Sequence, residues 1–163
     1  MTVDALVTLA TLAGTRLKAR GLKLVTAESC TGGWVAEAVT AIPGSSDWFE
    51  RGFVTYSNEA KREMLGVRAE TLDRTGAVSE ETALEMARGA LEASRAQVAV
   101  SITGVAGPTG GTATKPVGMV CFGWALGGGG ADTTTKHFKG DRGEVRRQSV
   151  VFALQGLIER IGE

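Results

Sequence analysis

LVTAESCTGG, residues 24–33, is the stretch of sequence that decides the fold. Residues 24–27 form a short and mostly apolar run, which is typical of a buried β-strand. The polar residues that follow end in two glycines, which predicts a turn. A helix is then predicted over residues 31–41, and Pro43 ends it. A buried strand that enters a helix through a tight turn is typical of an α/β fold.

Strand and helix patterns alternate along most of the chain. Further helices are predicted at residues 3–20 and 58–65 and after the N-cap Ser79. The last helix is predicted to begin at Asp141, which stands in capping-box spacing with Glu144. Further strands are predicted at residues 48–56, 98–102, 117–126 and 132–138. Gly127–Gly130 joins the last two strands as an antiparallel hairpin. We therefore expect an α/β fold, a three-layer α/β/α sandwich with a mixed β-sheet, in which residues 1–163 form one domain.

The composition excludes several classes of protein. Eighteen basic residues balance eighteen acidic ones, so the chain has no large field that would attract nucleic acid or an anionic membrane. No apolar stretch approaches the roughly 20 residues that cross a bilayer, and the N-terminus lacks the basic start of a secretory signal. Cys30 and Cys121 suggest no disulfide framework, so a reducing cytoplasm is the expected location.

Only one histidine, His137, is present. This excludes HExxH metalloproteases and three-histidine zinc sites, so a hydrolase built from this chain needs another base. One alternative pairs His137 with Cys30 as the nucleophile. His137 follows Thr133 and Thr135 in a polar alternation that places it toward solvent, however, and Cys30 fits a buried packing position. We expect no metal and no cofactor.

Ser29 is the candidate nucleophile. A serine at a strand-to-helix turn is exposed, and the backbone N–H groups after it have no partners inside the helix. Those donors and the helix dipole can stabilise an oxyanion, while Gly32 and Gly33 let a substrate approach the backbone. The alternative is structural: Ser29 or Thr31 caps the helix and the glycines pack tightly.

Lys61 is the candidate base. If Ser57 or Asn58 caps the helix, Lys61 lies in the first turn, where a cation meets the positive end of the dipole. That position suits a neutral lysine. A base near pH 7–8 requires a pKa about 3 below the ordinary value, at a cost of roughly 4 kcal/mol that burial must mostly supply. The alternative is a solvated lysine beside Arg62.

Two further features are candidates for substrate binding. The glycine-rich loop at residues 103–111 follows a predicted strand, but it lacks the GxxxxGK[ST] pattern of a P-loop. Arg142 lies at a predicted helix start, which suits a site that receives a phosphate. The alternative is that Arg142 is a surface arginine near Arg146 and Arg147.

Five segments together resemble the CinA C-terminal family, which includes stand-alone nicotinamide-nucleotide amidohydrolases. They are TAESCTGG (26–33), GSSDWFERGFVTYSNEAKREMLGV (44–67), SITGVAGPTGG (101–111), KPVGMVCF (115–122) and FKGDR (138–142). The resemblance extends from about residue 5 to residue 158. It implies hydrolysis of the carboxamide of nicotinamide mononucleotide (NMN) to nicotinate mononucleotide and ammonia, in pyridine nucleotide salvage.

The resemblance also implies roles for single residues. Ser29 corresponds to the nucleophile and Lys61 to its base. Ser46 and Tyr56 match the assisting hydroxyls, and Thr103 and Arg142 match the substrate contacts. We add Gly32, Gly33 and Gly104 as backbone contacts for the substrate.

Two other functions remain open from the sequence. One is an amidase for another small amide. The other is a non-enzymatic module that binds a recombination partner, since the family name derives from competence and DNA damage. The neutral charge and the absence of a basic helix do not favour this module. The expected partners are a small-molecule substrate and further copies of the chain in a homo-oligomer, with no nucleic acid and no membrane.

Overall fold

The computed structural model describes residues 4–162. Its strands are β1 (Leu24–Glu28), β2 (Phe49–Val54), β3 (Val98–Gly104), β4 (Met119–Leu126) and β5 (Ala131–His137). Its α-helices are α1 (Ala5–Ala19), α2 (Trp34–Thr40), α3 (Asn58–Leu65), α4 (Ala69–Thr75), α5 (Glu80–Glu92) and α6 (Arg142–Ile161), and a short 3-10 helix covers Ser45–Asp47. None of the helices within residues 4–162 has both the length and the hydrophobicity to cross a membrane.

The five strands form one mixed sheet in the order β2-β1-β3-β4-β5. β1 pairs in parallel with both β2 and β3, whereas β4 and β5 add as antiparallel strands. The carboxyl ends of β1, β2 and β3 therefore meet at one edge of the sheet, where α/β proteins bind their ligands. The expected mixed-sheet α/β fold is confirmed.

The two faces of the sheet are packed differently. One face carries α1, α2 and α6 over large side chains, including Phe122 and Trp124, which stack at 5.8 Å between ring centroids. The other face carries α3, α4 and α5 over small residues. A Cβ at Gly123 would lie 2.7 Å from the carbonyl oxygen of Ala83 on α5, so this helix lies unusually close to the strands.

Most predicted elements are present, with two main differences. α2 begins at Trp34, three residues later than predicted, because Gly32 and Gly33 adopt left-handed φ angles of +60° and +103° that break a helix. α4 was not predicted, since its N-cap Arg68 supplies no side-chain cap. Residue 3, the predicted start of the first helix, lies outside the described residues.

Candidate active site

Ser29 lies directly after β1, at the edge of the sheet where the three parallel strands end. Its N–H donates to the carbonyl oxygen of Ile102 on β3 at 2.9 Å. On the other side, the N–H of Thr55 donates to the carbonyl oxygen of Glu28 at 2.8 Å. The backbone around Ser29 is thus held by both neighbouring strands, and the side chain is 8% exposed.

Lys61 reaches Ser29 from the first turn of α3. Ser57 caps this helix by accepting a hydrogen bond from the N–H of Ala60, as the sequence predicted. The Lys61 amine lies 3.0 Å from Ser29 Oγ and 3.0 Å from the carbonyl oxygen of Thr55. Serine and lysine, 32 residues apart in sequence, therefore form a hydrogen-bonded pair.

The Lys61 amine is buried without a counter-ion. The residue is 1% exposed, and no carboxylate of residues 4–162 forms an ion pair with it. Desolvation by burial disfavours the ammonium and lowers the pKa of Lys61 below its ordinary value. A buried amine with a lowered pKa beside a hydroxyl has the properties that a general base needs.

Glu28 stabilises the other side of the turn that carries Ser29. Its buried carboxylate accepts hydrogen bonds from the Thr31 hydroxyl at 2.6 Å and from the N–H groups of Val35 and Ala36 at 2.8 and 3.0 Å. It therefore caps α2, where the N-cap Gly33 has no side chain to do so. Two of the helical donors expected to face an oxyanion are occupied by this carboxylate.

Arg146, on α6, holds the same turn from outside. Its Nε donates to the carbonyl oxygen of Cys30 at 3.1 Å, and its second guanidinium nitrogen donates to that of Thr31 at 3.0 Å. The guanidinium also lies over the ring of Trp34, 5.4 Å from the centroid. The turn that carries Ser29, residues 28–33, is thus fixed by a carboxylate on one side and a guanidinium on the other.

A cleft of about 290 Å³ opens beside the Ser29–Lys61 pair. Its walls include Tyr56, the loop at residues 103–110 and Arg142. Arg142 donates to the carbonyl oxygen of Gly107 at 2.8 Å and to the Tyr56 hydroxyl at 3.0 Å. A larger groove of about 600 Å³ lies between β5 and α6, but it contains neither member of the pair.

Thr103 and Gly104 also line this cleft, but their contacts are structural as well. The Thr103 hydroxyl donates to the carbonyl oxygen of Ala77 at 2.7 Å and so holds the Ala77–Val78 wall of the cleft in place. A Cβ at Gly104 would lie 2.7 Å from the Val120 side chain, so this glycine is needed for packing against β4.

Three predicted site residues are not brought to the cleft. Ser46 is exposed on the 3-10 helix that precedes β2. The first residue of β2 pairs with the first residue of β1. The length of β1, roughly 16 Å, therefore separates Ser46 from Ser29 within one chain, which is too far for an assisting hydroxyl. Gly32 and Gly33 do not line the cleft; their left-handed φ angles form the turn.

The alternative pair of Cys30 and His137 is excluded by the fold. Three strand spacings, about 14 Å, separate β1 from the edge strand β5 that carries His137. Burial also raises the pKa of the Cys30 thiol to about 12, so the nucleophilic thiolate is scarce at neutral pH.

The sequence did not identify Glu28, Arg146 or the carbonyl of Thr55 as parts of the site. A signal for Glu28 existed, since an acidic residue ends an apolar strand. Arg146 stands four residues after Arg142, which places both on one face of α6. The Thr55 carbonyl leaves no mark in a sequence.

Comparisons with known proteins show the family to which this chain belongs. Residues 6–161 match the family model described as "CinA C-terminal domain". The chain is 59% identical over 157 residues to "Nicotinamide-nucleotide amidohydrolase PncC" of Escherichia coli (strain K12), covering 96% of this chain and 95% of that protein. It is 49% identical to the protein of the same name in Pseudomonas putida, covering 96% and 98%.

A solved structure shows the same fold. The competence/damage inducible protein CihA from Agrobacterium tumefaciens superposes with a TM-score of 0.93 at 48% sequence identity, covering 98% of each chain. This chain therefore belongs to the CinA C-terminal domain family.

Proposed function

We propose that this chain is a serine amidohydrolase that converts NMN to nicotinate mononucleotide and ammonia. The observation that carries the proposal is the 3.0 Å contact between the buried Lys61 amine and Ser29 Oγ, with no carboxylate of the described residues to hold the lysine charged. The name of the Escherichia coli and Pseudomonas putida relatives supports the substrate.

The first step is attack by Ser29. Neutral Lys61 takes the hydroxyl proton as Oγ forms a bond to the carboxamide carbon, which gives a tetrahedral oxyanion and a Lys61 ammonium. The carbonyl oxygen of Thr55 fixes the amine by accepting one of its hydrogens, so that the lone pair faces Ser29. The basicity of Lys61 suits this role because burial has already lowered its pKa.

The second half of the reaction uses the same two residues. The ammonium of Lys61 gives its proton to the departing nitrogen, the C–N bond breaks, and ammonia leaves an ester on Ser29. Water then attacks this ester while Lys61 accepts its proton and passes it to Ser29 Oγ as the C–O bond breaks. Nicotinate mononucleotide leaves as the carboxylate after its acid proton passes to solvent, and the pair returns to its starting state.

Arg142 accounts for the nucleotide part of the substrate. Its guanidinium stands at the mouth of the cleft, where one donor holds the Gly107 carbonyl and another holds the Tyr56 hydroxyl. A phosphate that replaces the Tyr56 hydroxyl gains a charge-assisted hydrogen bond from Arg142. Tyr56, which is 63% exposed and has no hydrogen bond to Ser29 or Lys61, therefore assists substrate entry rather than proton transfer.

The test is ammonia release by the purified protein from NMN, nicotinamide riboside and free nicotinamide. We expect turnover of NMN, with Ser29→Ala reducing it by roughly 10⁴-fold or more. Arg142→Ala should raise KM for NMN about 10-fold, because a charge-assisted hydrogen bond is lost. KM for nicotinamide riboside, the matched substrate without phosphate, should not change.

The possible results separate the three functions. If the protein releases ammonia only from an amide other than a pyridine nucleotide, the proposed substrate is wrong but the proposed mechanism stands. Inactivity on every amide offered would favour the non-enzymatic binding module. Wild-type turnover in Ser29→Ala would remove Ser29 as the nucleophile.

A further inference from the structure

We infer that Arg146 is a positioning residue that orients the peptide group whose N–H stabilises the oxyanion. The inference rests on the proposed acyl-transfer chemistry at Ser29 and concerns a residue that does not line the cleft. Arg146 acts through the backbone of the turn that carries Ser29, because both of its hydrogen bonds end on carbonyl oxygens of that turn.

The peptide groups after Ser29 are fixed one by one. The carbonyl oxygen of Ser29 accepts a hydrogen bond from the N–H of Gly32 at 3.0 Å. The carbonyl oxygen of Cys30 accepts from Arg146 Nε at 3.1 Å. In a planar trans peptide the N–H points opposite to the carbonyl, so these two bonds set the directions of the Cys30 and Thr31 N–H groups.

One of these two N–H groups can act on a ligand, because Cys30 lines the cleft, whereas Thr31 is fully buried and does not line it. Neither the Cys30 N–H nor the Thr31 N–H has an acceptor among the described residues, whereas the N–H groups of Val35 and Ala36 are both held by Glu28. Arg146 sets the direction of the Cys30 N–H indirectly. It holds the carbonyl oxygen of Thr31, and the same peptide group carries the Gly32 N–H that holds the carbonyl oxygen of Ser29. The turn therefore offers one pre-oriented donor directly after Ser29, as an oxyanion site requires.

A lysine or a single hydrogen bond would not give the same constraint. The planar guanidinium contacts two successive carbonyl groups at once, and its stacking on Trp34 fixes its own plane. The two peptide groups are thus oriented relative to each other as well as to the helix.

The test compares Arg146→Ala and Arg146→Lys with Arg147→Ala as the matched control. Arg147 is the next residue on α6 and pairs with Asp4 on the surface, away from the turn. Two rates are measured for each protein: ammonia release from NMN, and labelling of Ser29 by a fluorophosphonate, in which Oγ bonds to phosphorus, fluoride leaves and the phosphoryl oxygen occupies the oxyanion site.

Removing an oxyanion donor costs roughly 10²–10³ in kcat, and a donor that is loosened rather than removed costs less. We therefore expect Arg146→Ala to lower kcat about 10- to 100-fold and to slow labelling in parallel, with KM within about twofold of wild type. Arg146→Lys should recover part of the loss, since an ammonium can hold one carbonyl. Arg147→Ala should match wild type.

Several results would overturn the inference. One is Arg146→Ala with normal kcat and labelling; another is a loss confined to KM; a third is an equal loss in Arg147→Ala. If NMN is not hydrolysed but Ser29 is labelled, the proposed substrate fails and the labelling rates alone decide the role of Arg146. If wild type shows neither reaction, the inference fails together with the proposed function.

Discussion

Two buried ionisable side chains flank Ser29, and they differ in the hydrogen-bond partners that surround them. Glu28 places a negative charge at the start of α2 and accepts three hydrogen bonds there, two of them from helical N–H groups. Lys61 places an amine in the first turn of α3, where the helix dipole disfavours a cation and only a hydroxyl and a carbonyl contact it.

The difference separates a structural group from a chemical one. The Glu28 side chain is held by three hydrogen-bond donors, whereas burial disfavours the charge of Lys61 and lowers the pKa of its amine. A residue that is stabilised by its surroundings contributes to folding. A residue that the surroundings destabilise in its ordinary state is retained for activity.

The strongest test of this contrast is Lys61→Met, which removes the amine and keeps an unbranched side chain that extends as far as Cε. We expect kcat to fall by about 10²–10⁴-fold because the general base is lost. The free energy of unfolding at pH 7 should rise by about 1 kcal/mol, since the buried amine no longer has to be desolvated. Activity assays and urea unfolding measure both effects. A large loss of stability would contradict the comparison.

Glu28→Gln tests the other half. The amide replaces one acceptor oxygen by a donor that faces other donors, so we expect the free energy of unfolding to fall by about 1–3 kcal/mol. The matched control is Glu37→Gln, an exposed acidic residue in the first turn of the same helix, which should change stability by less than about 0.5 kcal/mol. Equal effects in urea unfolding would show that Glu28 acts only through its charge near the dipole.

The pH dependence of stability sharpens the contrast further. Because the folded pKa of Lys61 lies below its ordinary value of 10.5, the unfolded chain binds more protons between these two values. The stability of wild type relative to Lys61→Met should therefore rise with pH across that window and stay constant below it. If the free energies of unfolding of the two proteins change in parallel from pH 6 to 10.5, the pKa of Lys61 is not lowered.

The smallest expected effect is that of Ser46→Ala. Ser46 lies at the opposite edge of the sheet from Ser29, so kcat and KM for NMN should remain within about twofold of wild type. A 10-fold or larger loss of activity would show that Ser46 lies beside a cleft from which the fold of its own chain keeps it apart.

Much of the fold could be predicted because local patterns decide it. The apolar run at residues 24–27, the cap at Ser57 and the capping box of Asp141 and Glu144 each act within a few residues. The short helix α4 could not, because it lacks a capping side chain and is held by tertiary contacts such as the Thr71–Glu85 hydrogen bond.

The candidate site was predictable to a different degree for each residue. Lys61 stands out because a cation is unusual in the first turn of a helix, and Ser29 stands out because it follows a buried strand and precedes two glycines. The functions of Glu28 and Arg146 depend on contacts with the backbone of one turn, and Arg146 reaches that turn across 116 residues of sequence. The resemblance suggested Ser46 as well, but the parallel register of β1 and β2 carries it away from Ser29.

The most direct test of the account is an NMR titration of the lysine side-chain amines in the wild-type protein, with the Lys61 signal assigned by its absence in Lys61→Met. We expect Lys61 to titrate below its ordinary value of 10.5, apart from the exposed lysines, because burial disfavours the ammonium. A Lys61 signal that titrates near 10.5 together with the surface lysines would contradict it.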